Sequence, residues 1–344
     1  MRLGIIGLPQ SGKSTVFEAL TRSVAADGNR QESRIGTITV PDKRVDTLSG
    51  MYTPRKTIFA QVAYYLPGRG GDPGGAAQKE QSIWTQVRDC DALIHSVRNF
   101  GGYGFDAPTP RADVVAIDQE LIISDLVVVE KRLERLALDE RRGKKPNPEE
   151  IALLHQCKAH LDNEIPLRRF PDIAKAKLLR GFAFLSAKPM LLLFNNADED
   201  DTLPDAELPE GEECMVIRAK LEQELAQMSA DEAREFLAEF NITASATDRV
   251  IQRSYELLGL ISFFTVGEDE VRAWTIGKDT QAVDAAEVIH SDIKKGFIRA
   301  EVLAYDDLMD AGSHAEARKK GTVRLEGKTY LVCDGDIINF RFNV

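Results

Sequence analysis

The residues with the clearest capacity for chemistry stand near the N-terminus, where Gly7 to Ser14 read GLPQSGKS. This segment satisfies GxxxxGK[ST], a glycine-rich turn whose backbone N–H groups surround phosphate oxygens. Lys13 adds a positive charge for the β- and γ-phosphates, and the Ser14 hydroxyl can ligate Mg²⁺. The pattern predicts a phosphate site for a purine nucleoside triphosphate. Its members are Pro9, Gln10, Ser11, Gly12, Lys13, Ser14 and Thr15.

The elements around this turn are those that the mechanism requires. Leu3 to Gly7 is an apolar run that predicts a buried strand, and Val16, Phe17 and Leu20 follow at helical spacing. A strand, a phosphate turn and a helix therefore follow one another. The alternative is a chance match in a glycine-rich turn, which the flanking elements disfavour.

The rest of the chain predicts an α/β protein with a doubly wound, mostly parallel sheet. Further strands are expected at Ile58 to Leu66, Ala92 to Val97 and Met190 to Phe194. A long amphipathic helix from Asp113 to about Arg142 and a second from Glu149 to about Asn163 predict an inserted helical hairpin.

The tail is rich in β-branched and aromatic residues bounded by glycine, which predicts a small α+β domain. We expect a nucleotide-binding domain over 1–112 and 182–257, the hairpin over 113–181 and the tail domain over 258–344.

Composition narrows the class of protein. The chain has 344 residues, 43% of them hydrophobic, and a net charge of −11, which opposes long-range attraction to nucleic acid and argues against a DNA partner. Its four cysteines lie far apart, so neither a disulfide framework nor a zinc site is expected. No apolar run reaches membrane-spanning length, and we expect a cytoplasmic protein.

A second motif follows the Met190 strand, where Asn196 to Glu199 read NADE and fit NxxE. GTP-binding proteins carry NKxD at such a strand end, and its Asp accepts hydrogen bonds from guanine. With NxxE in that place, the chain resembles the YchF family of Obg-related P-loop NTPases. The resemblance also covers LPQSGKST, VPDKRVDTL from Val40, AKLEQEL from Ala219, and the tail segments VRAWTIGKDT, IHSDIKKGFIRAEV and DGDIINFRFNV, which are similar to the family's TGS domain.

The resemblance implies further site residues and partners. Asn196 and Glu199 would face the base, and the backbone at Lys220 and Leu221 would close over it. An ordinary acidic loop is the alternative for residues 196–201. The ligand would be ATP or GTP with Mg²⁺, held by Ser14 on the protein side. The ribosome or its RNA would meet the hairpin and the β-grasp-like TGS domain.

The hairpin carries a cluster of basic residues that suits such a partner, although interleaved acidic residues make a solvated helix face an equal alternative. The cluster comprises Lys131, Arg132, Arg135, Arg141, Arg142, Lys144 and Lys145. In the tail, Lys294, Lys295, Arg299 and Arg318 to Lys320 are further candidates for RNA contact.

The chain departs from the family on the metal side of the site. The family's DxxG aspartate corresponds to Tyr65, and only Gly68 of that motif is kept. Asn29 to Gln31 stand where the family has a switch threonine. Loss of one preorganised charge-stabilising group slows a step by ~10²- to 10³-fold, so we expect nucleotide binding with weak or absent hydrolysis and uncertain Mg²⁺ retention.

Other functions stay open at this stage. A competent ATPase is the alternative to a binding switch, with Arg69 or Asp72 replacing the lost groups. A scaffold without nucleotide function is disfavoured because Lys13 and Ser14 are kept. No catalytic residue is assigned, since the five histidines form no ligand pattern and GxSxG is absent. Base preference and oligomeric state are not predicted.

Overall fold

The structure is a computed structural model, and it describes residues 1–23, 32–68, 83–102, 104, 106–205, 207–208, 211–239 and 245–343. The strands in chain order are β1 (Arg2–Ile6), β2 (Arg34–Thr39), β3 (Lys56–Ile58), β4 (Gln61–Leu66), β5 (Ala92–Asn99), β6 (Met190–Asn196), β7 (Glu213–Ile217), β8 (Leu260–Val266), β9 (Glu270–Gly277), β10 (Phe297–Ala304), β11 (Arg324–Glu326) and β12 (Asp336–Phe342).

The labelled helices number twelve among these residues. In chain order they are α1 (Lys13–Thr21), α2 (Lys43–Tyr52), α3 (Pro110–Arg141), α4 (Pro148–Asp162), α5 (Pro171–Ala174), α6 (Ala219–Leu225), α7 (Ala230–Glu239), α8 (Ala246–Leu257), α9 (Ala282–Ile289), α10 (Ser291–Lys295), α11 (Tyr305–Ala311) and α12 (His314–Lys320). Residues 83–87 are also helical.

The chain divides into two compact units. The first comprises Met1–Thr37 with Ala63–Val250, and the second comprises Ile38–Val62 with Ile251–Val344. The predicted division into three domains remains a prediction. None of the described helices is both long enough and apolar enough to cross a membrane.

The first unit is built on a six-stranded sheet in the order β2–β4–β1–β5–β6–β7. β1 pairs in parallel with β4 and β5, and β6 pairs in parallel with β5 and β7. Leu3 and Ile5 in β1 are completely buried, and every residue of β6 is buried. Strands buried on both faces are typical of a parallel sheet covered by helices, as the sequence predicts.

The helical hairpin is formed by α3 and α4. Along α3 buried residues recur every three or four positions from Val114 through Leu121 to Val129, and Leu136 follows seven positions later. Gly143, with φ +82°, follows the end of α3, and Asn147 caps α4 by accepting a hydrogen bond from Glu149 N. The predicted helices at Asp113 and Glu149 are confirmed, each beginning slightly earlier than expected.

The second unit contains a mixed sheet in the order β11–β10–β12–β8–β9–β3. β8 pairs antiparallel with β9, β10 pairs antiparallel with β11 and β12, and β12 pairs in parallel with β8. Phe263, Phe340 and the alanines of α9 pack in its core. The predicted β-rich tail therefore contains both strands, β8 to β12, and helices, as expected of an α+β domain.

One strand prediction is wrong. Ile58 to Leu66 was expected to form a single strand, but β3 pairs with β9 in the second sheet, whereas β4 pairs with β1 in the first. A continuous run of apolar and β-branched residues cannot show that the chain changes sheets, because strand pairing depends on tertiary context. Strands β2 and β7 were also not predicted.

Candidate functional site

The glycine-rich turn lies at the carboxyl end of β1 and leads directly into α1. Gly7 has φ +147° and Gly12 has φ +84°, angles that residues with a side chain rarely adopt. A Cβ on Gly7 would collide with the carbonyl oxygen of Ser96, and a Cβ on Gly12 would collide with the side-chain nitrogen of Asn195. Both glycines are therefore required by backbone angle and by space.

The start of α1 is open to an anion. Gly12 caps the helix without a side-chain hydrogen bond, and the first turn holds no acidic residue. The N–H groups of the first helical turn and the helix dipole at this end favour negative charge. Of the predicted phosphate-binding residues, Pro9, Gln10 and Ser14 are exposed, Gly12, Lys13 and Thr15 are half-buried, and Ser11 is buried.

The Lys13 ammonium group is held against this turn. Its Nζ donates hydrogen bonds to the carbonyl oxygens of Gly7, at 2.8 Å, and Leu8, at 2.6 Å. The positive charge thus lies beside the backbone of the glycine-rich turn. It reinforces the positive field of the helix N-terminus.

Asn195, near the carboxyl end of β6, joins the glycine-rich turn to a second loop. Its Nδ2 donates to the Ser11 carbonyl oxygen at 3.2 Å, and its Oδ1 accepts a hydrogen bond from Ala219 N at 3.1 Å. The Ser96 hydroxyl donates to the same Ser11 oxygen at 2.9 Å. The Asn195 side chain is buried, so these bonds fix the turn relative to the start of α6.

Asp198 lies two residues beyond β6 and contacts the start of α6. Its Oδ1 accepts a hydrogen bond from Leu221 N at 3.2 Å, and its carbonyl oxygen accepts one from Arg218 at 3.3 Å. No described residue donates a hydrogen bond to the other carboxylate oxygen, Oδ2. Asp198 is half-buried and therefore reachable by a ligand.

The base-binding residues predicted from the sequence lie beside this network. Asn196 donates to the Thr202 carbonyl oxygen at 2.8 Å and accepts from Asn99 at 2.9 Å. Glu199 and Lys220 are exposed, and Leu221 is buried. Their contact with a base remains a prediction.

Asn195 and Asp198, each one residue before a predicted base-binding residue, form the hydrogen bonds with the turn and with α6. The sequence contains Asn195 and Asn196 in succession and Asp198 and Glu199 in succession, so a pattern of Asn followed three residues later by an acidic residue can begin at either asparagine. These two pairs of similar neighbours were the feature of the sequence that allowed both possibilities. Only the hydrogen bonds in the structure distinguish them.

On the metal side of the site, Tyr65 takes the position at which the family has an aspartate. Tyr65 is buried, and its hydroxyl donates to Gln86 Oε1 at 3.1 Å. Gly68 N donates to the same oxygen at 3.1 Å. Gln86, which the sequence did not indicate, therefore pairs with the amide of Gly68, the one residue kept from the DxxG motif.

The described residues supply only a partial fit for Mg²⁺. The Ser14 hydroxyl is exposed and available, but a neutral phenol replaces the expected carboxylate at Tyr65. Among the described residues, no group of three or more His, Cys, Asp or Glu side chains could hold a metal. The predicted switch positions Asn29 to Gln31, and the replacement candidates Arg69 and Asp72, lie outside the described residues.

His95 is an uncharged neighbour of the site. It is fully buried in β5, and neither ring nitrogen has a hydrogen-bond partner in the described part of the chain. Burial lowers the pKa of His95 to about 3, and the charges of Arg168 and Lys13 contribute to the decrease. At neutral pH the imidazole therefore adds no charge near the phosphate turn.

The basic candidates differ in how far acidic neighbours neutralise them. On the hairpin, Arg132 pairs with Glu150, and Lys144 pairs with Asp139. The remaining cations of the cluster are exposed, namely Lys131, Arg135, Arg141, Arg142 and Lys145.

In the second unit most of the basic candidates are paired. Lys294 pairs with Asp284 and Glu287, and Arg318 pairs with Glu301. Lys295 and Lys319 also have acidic partners, and Arg299 is exposed. Fewer of the cations at the hairpin tip, residues 131–145, than of the candidates in the second unit have an acidic partner within ion-pair distance.

Comparisons with known proteins found relatives that match the chain over nearly its whole length. The YchF-GTPase_C family model, described as a protein of unknown function (DUF933), matches residues 260–343. The "Ribosome-binding ATPase YchF" of Bacillus subtilis is 37% identical over 364 residues, which cover 99% of each chain. The protein of that name from Buchnera aphidicola subsp. Schizaphis graminum is 34% identical and covers 100% of this chain and 99% of its own.

A solved structure has the same architecture. The YchF GTPase of Schizosaccharomyces pombe superposes with a TM-score of 0.82 at 29% sequence identity. The match covers 99% of this chain and 97% of that one.

Proposed function

Because the chain belongs to the YchF family, we propose that it binds a purine nucleoside triphosphate, ATP or GTP, at the turn between β1 and α1, and that occupancy of this site controls binding to a partner. The carrying observation is the open N-terminus of α1, with Lys13 and Asn195 bonded to the turn that precedes it. Backbone amides from Gln10 to Ser14 hold the β-phosphate, and the Lys13 ammonium group exchanges its carbonyl partners for phosphate oxygens.

Hydrolysis is weak or absent in this proposal. Among the described residues, the metal side offers the Ser14 hydroxyl and no carboxylate, so Mg²⁺ would be retained mainly by the nucleotide phosphates and water. When bound, Mg²⁺ neutralises phosphate charge. The Gly68 amide is already paired with Gln86 and would have to change partners to reach the γ-phosphate.

A second candidate function is Mg²⁺-dependent hydrolysis of ATP or GTP through a rearranged switch region. The Bacillus and Buchnera relatives are named ATPases, which favours it. Arg69 or Asp72 would then supply the missing groups. Turnover separates the two candidates.

The partner that we propose is the ribosome, in keeping with the names of the same two relatives. The exposed cations of the hairpin tip would meet ribosomal RNA, with the TGS-like unit as a second contact. Binding to ribosomes implies a cytoplasmic site of action.

Phosphate release by the purified chain with ATP and with GTP tests the proposal, with calorimetric titration of the same nucleotides in parallel. We expect binding without substantial turnover. Lys13→Ala should abolish binding, since it removes the ammonium charge. Turnover that requires Mg²⁺ and that Lys13→Ala abolishes would establish the ATPase alternative instead. Absence of binding by the unaltered chain would leave only a scaffold.

A further inference from the structure

Three arginines surround the Glu301 carboxylate on one face of the second sheet. We propose that this arginine cluster binds the phosphate group of a small phosphomonoester. It comprises Arg299 and Glu301 of β10, Arg341 of β12 and Arg318 of α12. All four residues belong to the second unit, so the site is separate from the phosphate turn after β1 and does not depend on the proposed function.

The register of β10 and β12 places two of these arginines directly opposite each other. Arg299 pairs with Arg341 in the antiparallel ladder, so their Cβ atoms lie about 4.5–5.5 Å apart on the same face. The register shifts between Phe297 and Arg299, as at a β-bulge, and bulges redirect side chains near functional sites. Like charges directly opposite each other destabilise a sheet. An anion that contacts both guanidinium groups would offset this cost.

Glu301 orients two of the arginines. It follows Arg299 by two residues on β10 and therefore lies on the same face. Its carboxylate accepts a hydrogen bond from Arg318 at 2.6 Å and another from Arg341, and its side chain is only 6% exposed. Burial acts to raise the pKa of Glu301, but the hydrogen bonds from Arg341 and Arg318 bring it below its ordinary value. The carboxylate is therefore ionised at neutral pH.

The arginine cluster keeps a positive charge that matches a phosphomonoester. Three guanidinium groups around one carboxylate leave a net charge of +2. Arg299 is exposed, and no described acidic side chain forms an ion pair with it. The side chains of Arg318 and Arg341 are 60% and 53% exposed, so a ligand can reach them. A phosphomonoester carries nearly two negative charges at neutral pH, and guanidinium groups bind its oxygens in pairs.

A cavity of about 620 Å³ beside the cluster leaves room for the rest of the ligand. Its walls include Glu301, Arg318, Asn339, Tyr52 and Phe342. Asn339 lies directly opposite Glu301 and is exposed, and its amide has no hydrogen-bond partner in the described part of the chain. It can therefore donate to a phosphate oxygen. The two aromatic side chains suit a phosphomonoester with an aromatic or apolar body.

The charges around the cluster favour a small ligand over nucleic acid. Lys294, Lys295 and Lys319 all pair with acidic residues. Glu270, which also lines the cavity, pairs with Arg272. Binding of nucleic acid relies on a surface that neutralises several phosphates. A single site with a charge of +2 instead suits one phosphate group.

Calorimetric titration of the full Lys13→Ala chain with phenyl phosphate tests the proposal, because this variant weakens the phosphate turn and leaves the cluster unaltered. Phenyl sulfate is the matched ligand, since it has a similar shape and one negative charge fewer above pH 7. We expect phenyl phosphate to bind at least roughly tenfold more tightly. Adding Arg299→Gln should weaken phenyl phosphate by roughly 10- to 10²-fold. Adding Lys278→Gln, which removes an exposed charge just beyond the other end of β9, should leave its affinity unchanged.

Urea unfolding of the same variants gives a second measurement. Arg299→Gln removes one of two opposed charges, so its urea midpoint should rise while its affinity for phenyl phosphate falls. A misfolded variant cannot show both changes.

Several results would overturn the proposal. Equal binding of phenyl phosphate and phenyl sulfate would exclude selection of a dianion. Unchanged affinity in Arg299→Gln, or a lower urea midpoint, would show that Arg299 serves the fold and not a ligand. Displacement of phenyl phosphate by an RNA strand without terminal phosphates would identify nucleic acid as the ligand instead. If phenyl phosphate does not bind, the cluster is only an ion-pair network, and nucleotide binding at the turn after β1 is unaffected.

Discussion

At the scale of single residues, the phosphate turn depends on positions that cannot accept a Cβ. Gly12 combines a left-handed backbone with a neighbour, the Asn195 amide, that a Cβ would strike. Gly143 has nearly the same φ, +82°, but a Cβ added there would meet nothing within 4 Å. The pair therefore separates the cost of backbone angle from the cost of lost space.

We predict that Gly12→Ala lowers the free energy of unfolding by about 2–5 kcal/mol, from left-handed strain and the steric clash together. Gly143→Ala should cost only about 1–2 kcal/mol, since strain acts alone. Urea unfolding of both variants measures the difference. Equal losses would mean that the Asn195 amide moves aside freely and does not fix the turn.

His95 makes a prediction about pH. Its folded pKa, about 3, lies below the ordinary 6.5, so the folded state binds fewer protons, and stability is lost as pH falls from 6.5 towards 3. When the pH is lowered from 7.5 to 5.5, the free energy of unfolding of the unaltered chain should fall by about 1.4 kcal/mol more than that of His95→Leu, which has no imidazole. Urea unfolding at the two pH values tests this, and parallel losses would contradict it.

The sequence could predict a phosphate turn because the motif is local and its flanking strand and helix are readable from periodicity, and the structure contains both elements as β1 and α1. It could not choose between the alignments at Asn195 and Asn196, since the choice depends on bonds to Ser11 and Ala219, of which Ser11 is far away in the chain. Gln86 had no local signal at all. Gln86 accepts hydrogen bonds from Tyr65, which replaces an aspartate, and from the Gly68 amide, and both donors lie about 20 residues away in the chain.

At the scale of elements, the hairpin is joined to the sheet by a buried carboxylate on α3. Asp125 accepts hydrogen bonds from Leu185 N at 2.9 Å and Ser186 N at 2.7 Å, just before β6. Burial raises its pKa, while these two bonds and Arg88 oppose the rise. The carboxylate thus pairs two backbone amides that would otherwise be buried without partners.

Asp125→Ala should lower the free energy of unfolding by about 2–5 kcal/mol, because it leaves both amides unpaired. Glu134→Ala, on an exposed position of the same helix, should change it by no more than about 0.5 kcal/mol. Chemical denaturation compares them. A small effect of Asp125→Ala would show that other groups or water replace the carboxylate.

Element boundaries followed the sequence where caps and periodicity were strong, as at Asn147 before α4. The boundaries could not be predicted where one apolar run contributes strands to two sheets, as at β3 and β4, because the pairing partners of β3 lie far away in the chain. The short strand β7 was also missed, although it pairs in parallel with β6 next to the candidate site.

At the scale of the whole molecule, a net charge of −11 means that any contact with RNA must rely on a local basic surface. The hairpin tip supplies exposed cations, and several cations of the second unit are paired with acidic residues. The family resemblance predicted that the hairpin and the TGS-like domain would meet the ribosome. Which of their cations are paired with acidic residues could be seen only in the structure.

Replacing Arg141, Arg142 and Lys145 by alanine should weaken co-sedimentation with ribosomes and flatten its dependence on salt. The slope of log affinity against log salt should fall by roughly 2–3, about one per lost phosphate contact. Replacing Lys175, Lys177 and Arg180, three exposed cations elsewhere in the chain, is the matched control. If both triple variants behave alike, the tip has no special part in binding.

The central claim is that backbone amides of the turn after β1 hold a nucleotide's phosphates, and amide hydrogen exchange at residues 9–15 tests it most directly. Saturating GDP or ADP with Mg²⁺ should slow exchange across this segment in the unaltered chain and leave it unchanged in Lys13→Ala. Nucleotide binding that slows exchange elsewhere, with residues 9–15 exchanging as fast as before, would contradict the account.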